Sequence, residues 1–331
     1  MGAEKSRSQR CGIVLAGGDG RRLQPLIRRL WGMELPKQYV NFLGTGSMYE
    51  RTIDRVERLI ASECLFTVVA RDHLKYEEVR CQLRKRPSHT VVIQPKNRET
   101  APGLLLPLMH LFLYCPDSIV AVFPSDQFIA HEEIFADYVQ RAFEMIELYP
   151  SRIIFLGVDP TEIEPGYGYI LPDFQEPDSR SQMKRVKSFI DRPTHQIASQ
   201  VTSLGALWNT MAMVFRPETI MDLIALSAPK LHHCFRKILK ALQASRASSM
   251  VERIYRDMPS VDLFSELLEV IDIYARNQLY VLPMKGILWS DWDTEDRILE
   301  STKRLMSLDC LPRGLQLANI DAFMPAALRI A

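Results

Sequence analysis

The chain has no excess of charge of either sign, no long apolar run and no paired cysteines, and each absence removes a class of protein. Lysine and arginine number 41 against 40 aspartate and glutamate, a formal net charge of +1. No overall field therefore recruits nucleic acid or an anionic membrane, and any anion site must be built locally. The most apolar stretch, Ala101 to Cys115, is interrupted by Pro102, Pro107 and His110 and falls short of the roughly 20 residues that a membrane span needs. It reads as a buried helix. The six cysteines, Cys11, Cys64, Cys81, Cys115, Cys234 and Cys310, form no C-x-x-C pair and no close metal-ligand spacing, the usage of a reduced, cytoplasmic protein. No apolar leader is evident, so secretion is not expected. The match of Met1 to Ser6 to the loose N-myristoylation pattern constrains too few positions to predict lipidation. Internal repeats and low-complexity linkers are also missing, and the seven histidines show no ligand spacing.

What is present is a chain of 331 residues, 47% hydrophobic, enough to bury a sizeable core. Short β-branched runs at Cys11 to Ala16, Leu65 to Ala70, Thr90 to Ile93, Ser118 to Phe123 and Ile153 to Val158 predict strands. Amphipathic or apolar stretches at Met48 to Leu59, Leu74 to Arg84, Gly103 to Tyr114 and Glu132 to Tyr149 predict the helices between them. This βαβ series predicts an α/β protein with a mostly parallel sheet and ligands at the carboxyl ends of its strands. From about Gly166 the rhythm changes to extended segments separated by loops: Gly168 to Leu171, Met183 to Asp191 and Asn209 to Phe215. Pro217 to Arg256 reads as helical, Leu279 to Pro283 as extended and Thr294 to Ser307 as a last helix.

The first predicted strand runs into Leu15-Ala16-Gly17-Gly18-Asp19-Gly20-Arg21-Arg22. Glycines let backbone N–H groups approach phosphate oxygens, and guanidinium groups neutralise the charge that builds up as a phosphoanhydride breaks. The loop is neither a dinucleotide-binding G-x-G-x-x-G nor a P-loop, since no Gly-Lys-Ser/Thr follows. Pro36-Lys37-Gln38 adds a cation, and Gln94-Pro95-Lys96-Asn97-Arg98-Glu99-Thr100 places polar groups at a strand end, where a base or ribose can be read.

With these segments in view, the chain resembles the mannose-1-phosphate guanylyltransferases (GDP-mannose pyrophosphorylases) of the sugar-nucleotidyltransferase superfamily. The ordered matches are the glycine loop, Phe123-Pro124-Ser125-Asp126-Gln127, Gly166-Tyr167-Gly168-Tyr169-Ile170, Phe189-Ile190-Asp191-Arg192-Pro193, Trp208-Asn209-Thr210, Ser260-Val261-Asp262 and Trp289-Ser290-Asp291, covering about residues 10 to 295. The resemblance implies a Rossmann-like nucleotidyltransferase fold, with a mostly parallel mixed sheet flanked by helices and a sugar-binding extension. The expected plan is a flexible N-terminus (1–9), a catalytic domain (10–295) with a nucleotide half to about 160 and a sugar half from about 161, and a C-terminal helix and tail (296–331).

The resemblance also assigns roles. Arg22, Lys37, Asp126 and Arg192 are the catalytic set, and Leu15, Ala16, Gly17, Gly18, Gly20, Arg21, Gln94, Pro95, Arg98 and Thr100 hold the nucleotide. Gly168, Tyr169, Asn209 and Asp262 hold the sugar, with Glu269 a further candidate. Asp126 and Asp291 are expected to share one Mg²⁺, a cation that prefers hard oxygen ligands. The implied substrates are GTP and mannose 1-phosphate, with a homodimer as a further expectation and neither nucleic acid nor membrane as a partner. Another hexose 1-phosphate or nucleoside triphosphate, or a catalytically silent nucleotide-binding regulatory paralogue, stay open as alternatives. Four residues depart from the family pattern: Arg21 for a small hydroxylated residue, Arg192 for a lysine, Met211 for a small residue and Asp293 for a glycine.

Overall fold

The computed structural model describes residues 8–44, 46–174, 182–244, 247–264 and 278–307. In the first half the β-branched runs become β1 (Gln9–Ala16), β2 (Leu65–Ala70), β3 (Val91–Gln94), β4 (Ser118–Pro124) and β6 (Ile153–Val158), with a two-residue β5 (Phe128–Ile129) after β4. Between them lie α1 (Gln24–Trp31), α2 (Met48–Val56), α3 (Glu77–Leu83), α4 (Thr100–Tyr114) and α5 (Glu132–Leu148). α2 starts where it does because Ser47 and Glu50 cap each other: the Ser47 hydroxyl accepts from Glu50 N, and the Glu50 carboxylate accepts from Ser47 N.

Every residue of β2, β4 and β6 is buried, which is why these strands read as unbroken apolar runs rather than alternating ones. Such strands need cover on both faces. α4 packs on β1, β2 and β3 with α8 (Pro229–Leu242) against it, while α5 packs on β4, β6, β9 (Leu207–Phe215) and β10 (Leu279–Met284) and touches α2. The apolar stretch at 101–115 is therefore a helix buried between the sheet and α8, and among the described residues no helix is long and apolar enough to cross a membrane.

β7 (Gly168–Pro172), β8 (Lys184–Asp191), β9 and β10 join the same nine-stranded sheet, in the order β3-β2-β1-β4-β9-β6-β10-β8-β7. β9 runs antiparallel to β4, β6 and β7, and β8 antiparallel to β10 and β7. The other strands share one direction, so the mixed sheet is mostly parallel and Rossmann-like. β2 lies on one side of β1 and β4 on the other; the carboxyl ends of β1 and β4 thus form a topological switch point, where a crevice opens.

Three features differ from the sequence reading. The segment between β8 and β9 contains a helix, α6 (His195–Ser203), capped by the Thr194 hydroxyl accepting from Ile197 N. It buries only Ala198 and Val201, too few positions to write a 3.6-residue period. The long helical stretch resolves into α7 (Pro217–Ser227), α8 and α9 (Ala247–Asp257), with the first break at Ala228 before Pro229; α10 (Glu295–Ser307) closes the described chain. Finally, β11 (Trp289–Ser290) pairs antiparallel with β5, Trp289 opposite Ile129 and Ser290 opposite Phe128. This two-stranded sheet brings the segment from 289 to 293 to the end of β4, 165 positions away along the chain when counted from Asp126 to Asp291.

Candidate active site

The glycine loop leaves β1 at the switch point. Gln38 Nε2 donates to the carbonyls of Ala16 (2.9 Å) and Gly18 (2.8 Å), and the Tyr39 hydroxyl donates to Ala16 O at 3.2 Å. Gln38 and Tyr39 are buried, so the loop rests on a fixed floor. Gly20 has φ of 59°, and a Cβ there would meet Lys37 Cγ at 2.9 Å and Lys37 N at 3.0 Å. Only glycine lets the loop pass so close to Lys37.

Lys37 is the centre of the charge arrangement. Its ammonium, on a side chain only 5% exposed, lies 3.1 Å from Asp126 Oδ2 and 3.3 Å from Asp293 Oδ1 and donates to Asp291 O at 3.0 Å. Burial works to lower its pKa, but the carboxylates of Asp126, Asp293 and Asp291 outweigh it and raise the value, so Lys37 is firmly protonated. Asp293 also pairs with Arg22; burial pushes its carboxyl up, and Lys37 and Arg22 more than reverse that, holding it below the usual range. For Asp291 burial wins over Arg297 and Lys37, and its pKa is raised. Both Asp291 carboxylate oxygens accept from Arg297 Nη1 at 2.8 Å, and Arg297 Nη2 also reaches Glu164 Oε1 at 3.0 Å. The Asp126 side chain is 37% exposed, and it faces the first of two cavities.

That cavity, about 330 Å³, is lined by Leu15, Gly17, Gly18, Gln38, Gln94, Thr100, Ser125 and Asp126 among others. Gln94 is 2% exposed, and its Nε2 has no hydrogen-bond partner among the described residues, a donor left for a ligand. The second cavity, about 460 Å³, is lined by Gly168, Tyr169, Asn209 and Asp262 together with Tyr167, Asp191, Trp289 and Asp291. The two cavities share Glu99, Thr100, Arg192 and Met211 as walls. Arg192 is exposed and has no ion-pair partner among the described residues, so a cation stands at the junction.

The backbone around this junction is bent. β9 bulges where its register with β6 shifts between Phe155 and Gly157. Met211 in the bulge has φ of 60°, a left-handed conformation that costs a non-glycine residue about 1–3 kcal/mol. The bulge is held by Asn209 Oδ1 accepting from Met211 N (2.9 Å), by Thr210 Oγ1 donating to Leu156 O (2.6 Å) and by Gln127 Nε2 donating to Thr210 O (2.7 Å). Glu99 and Arg192 also have positive φ, 71° and 43°. Asp262 is fixed from both sides: Thr100 Oγ1 donates to its Oδ2 at 2.8 Å and Phe264 N to its Oδ1 at 2.9 Å.

The structure thus brings the four sugar-side residues to one cavity and Leu15, Gly17, Gly18, Gln94, Thr100 and Asp126 to the other. Ala16 contributes its carbonyl to the loop floor rather than lining a cavity, and Gly20, Arg22 and Lys37 line neither cavity: Lys37 pairs with Asp126 and packs on Gly20, and Arg22 joins the cluster through Asp293. Arg21 turns outward, 86% exposed, to Asp19. Arg98 is placed away from the cavities, donating to the carbonyls of Tyr255 (3.1 Å) and Arg256, and Pro95 lines neither. Glu269 lies outside the described residues. Gln38 and Glu99 belonged to segments singled out in the sequence but were given no individual role, and nothing in the spacing of Arg297 announced its hold on Asp291.

The donor set offered to a cation is carboxylate oxygen, which suits Mg²⁺ rather than a soft metal. Asp126 offers accessible oxygen, whereas Asp291 would have to share or release its pairing with Arg297.

Residues 11–306 match the family model described as nucleotidyl transferase. Among individual relatives, the mannose-1-phosphate guanylyltransferase of Escherichia coli is 28% identical over 236 residues, 70% of this chain and 47% of that protein. The alginate biosynthesis protein AlgA of Pseudomonas aeruginosa is 26% identical over 213 residues, 63% of this chain and 42% of that protein. The chain spans about half the length of the curated relatives it matches. Among solved structures, one described as mannose-1-phosphate geranyltransferase from Thermus thermophilus superposes with a TM-score of 0.73 at 22% identity, covering 89% of this chain and 79% of that one, a likeness of fold. With the family model spanning the whole sheet and both cavities, the chain belongs to the nucleotidyl transferase family.

Proposed function

We propose that the protein joins the nucleoside monophosphate part of GTP to mannose 1-phosphate, giving GDP-mannose and pyrophosphate. The observation that carries this reading is the pair of adjoining cavities, with Asp126 in the wall of one, Asp291 in the wall of the other and Arg192 at the junction. A phosphate loop at one end and hydroxyl-recognising groups at the other suit two substrates whose phosphates meet in the middle. The names of the relatives favour GTP and mannose 1-phosphate within that class.

A non-bridging oxygen of the sugar phosphate attacks the α-phosphorus of the triphosphate. The new P–O bond forms in line with the bond to the β-phosphate, which breaks as pyrophosphate leaves. No general base is needed, because the attacking phosphate is already ionised. Gly17 and Gly18 present backbone donors, Arg22 and Lys37 stand behind Asp126 to receive the leaving group, and Arg192 holds the sugar phosphate at the junction. Asn209, which offers both donor and acceptor, reads sugar hydroxyls with Asp262 and the backbone at Gly168 and Tyr169. Gln94 reads the base or ribose. Asp126 and Asp291 would hold Mg²⁺, which when bound supplies positive charge beside the α-phosphate oxygens.

The test is pyrophosphate release by purified protein with Mg²⁺, crossing GTP, ATP, UTP, CTP and dTTP with mannose and glucose 1-phosphates. The expected result is release confined to GTP with mannose 1-phosphate. Another active pair would keep the chemistry and replace the substrates; silence across the whole matrix would overturn the reading in favour of a silent nucleotide-binding paralogue.

A further inference from the structure

The three cysteines nearest the base of the parallel strands, far apart in sequence, converge in space. Cys11 lies in β1, Cys64 in the turn before β2 and Cys115 between α4 and β4. Because β1 pairs with both β2 and β4, the topology gathers the amino-terminal ends of these strands, the end of the sheet opposite the glycine loop. The three Sγ atoms all lie within 4.8 Å of one another, and the residues are 0%, 7% and 7% exposed.

Three buried thiols gain little from one another, since S–H is a weak donor. Two further groups complete the environment. Gln9 Nε2 donates to Cys64 Sγ at 2.9 Å, the kind of outer contact that orients and tunes a sulfur ligand. The Ser118 hydroxyl, on a residue 1% exposed, sits beside the Cys11 sulfur and has no hydrogen-bond partner at ordinary geometry among the described residues. Gln9 is itself exposed, so the contact to Cys64 comes from a side chain that also reaches solvent. Cys81 and Cys234, the other described cysteines, stand outside the cluster.

We infer that Cys11, Cys64 and Cys115 form a three-sulfur site for a soft d¹⁰ cation of the zinc class, which ties β1, β2 and β4 together beneath the phosphate loop. Thiolate ligands select such ions, and a metal–sulfur bond of about 2.3 Å sets ligand sulfurs roughly 4 Å apart. The sulfur spacing, at most 4.8 Å, therefore needs a contraction of less than about 1 Å to reach that geometry. Binding forms three S–metal bonds, breaks three S–H bonds and releases the three protons to solvent; no electron changes hands. The site uses none of the residues assigned to nucleotidyl transfer.

The experiment uses the full chain, reduced and stripped with chelator, in a background with Cys81, Cys234 and Cys310 changed to serine. Cd²⁺ alone is titrated while the sulfur-to-cadmium charge-transfer absorption and proton release are followed, with native mass spectrometry counting ions and Zn²⁺ as competitor. The expected result is one ion per chain, an absorption of three-thiolate intensity, three protons released and displacement by Zn²⁺. Cys64→Ser is expected to weaken binding at least about 100-fold; Gln9→Ala, at an exposed position that should not disturb folding, about 10-fold. No absorption, an absorption unchanged in both variants, or conversion of two of the three thiols to a disulfide in place of ion uptake would overturn the assignment.

Discussion

Asp126→Asn is expected to lower turnover by about three orders of magnitude while leaving the fold intact. The asparagine keeps the size and the hydrogen-bonding reach of the side chain but removes the carboxylate that is both in contact with Lys37 and in the wall of the cavity beside the glycine loop. A group that places charge where it changes in the transition state is worth about 10²–10³ in turnover, and loss of a cation's ligand adds to that. Stability should move little, because the Asp126 side chain is 37% exposed and can be solvated, so its half of the pair contributes about 1 kcal/mol. Lys37 also retains Asp293 and the Asp291 carbonyl. Pyrophosphate release and a thermal melt on one preparation check both halves. Unchanged turnover would remove Asp126 from the chemistry.

Lys37→Met is expected to damage activity and stability together. The ammonium is the shared counter-charge of Asp126 and Asp293 and donates to the Asp291 carbonyl, while the backbone and stem of Lys37 pack closely against Gly20. Removing this buried cation leaves Asp126 with no ion-pair partner among the described residues and Asp293 with Arg22 alone, at a cost on the order of 3 kcal/mol. Turnover should fall at least about 100-fold, since a preorganised cation near the leaving group disappears. A second substitution separates the two effects. Adding Asp293→Asn to Lys37→Met takes away a carboxylate left with Arg22 as its one remaining cation among the described residues, so part of the lost stability should return in denaturant unfolding while activity stays low. Recovery of activity along with stability would mean that Lys37 acts only as scaffolding.

The same cluster explains how Asp293 behaves at a position where the family pattern has glycine. Its carboxylate occupies Arg22 and Lys37 at once, the two cations that the proposed reaction assigns to pyrophosphate. Under that proposal a triphosphate arriving at the loop would compete with this internal anion, whose charge is held firmly by both partners.

The parts of the fold that were legible in the sequence are those written by local chemistry. The strands at 65–70 and 153–158 matched because buried parallel strands spell continuous β-branched runs, and the glycine loop was evident from composition alone. Many of the residues that line the crevice were readable because they sit in short segments at strand ends. Long-range pairing was the part that left no local trace. The two-residue strands β5 and β11 are too short for any period, yet their pairing sets Asp291 beside Lys37. Arg297, which holds Asp291, sits in an ordinary amphipathic helix. The Cys11, Cys64 and Cys115 cluster was invisible for the same reason: no spacing of cysteines encodes the order β2-β1-β4. Met211 could be noted as an unusual residue after Trp208-Asn209-Thr210, but the positive φ that makes it a bulge residue is a property of the sheet.

If the two cavities are halves of one transferase, phosphorus passes between substrates at the junction by Arg192. The most direct measurement gives the protein GTP labelled at the α-phosphorus together with mannose 1-phosphate and Mg²⁺, and separates the products. The account predicts that the label appears in GDP-mannose while the β- and γ-phosphates leave as unlabelled pyrophosphate. Label that stays in GTP, or that emerges as GMP with no sugar nucleotide formed, would contradict it.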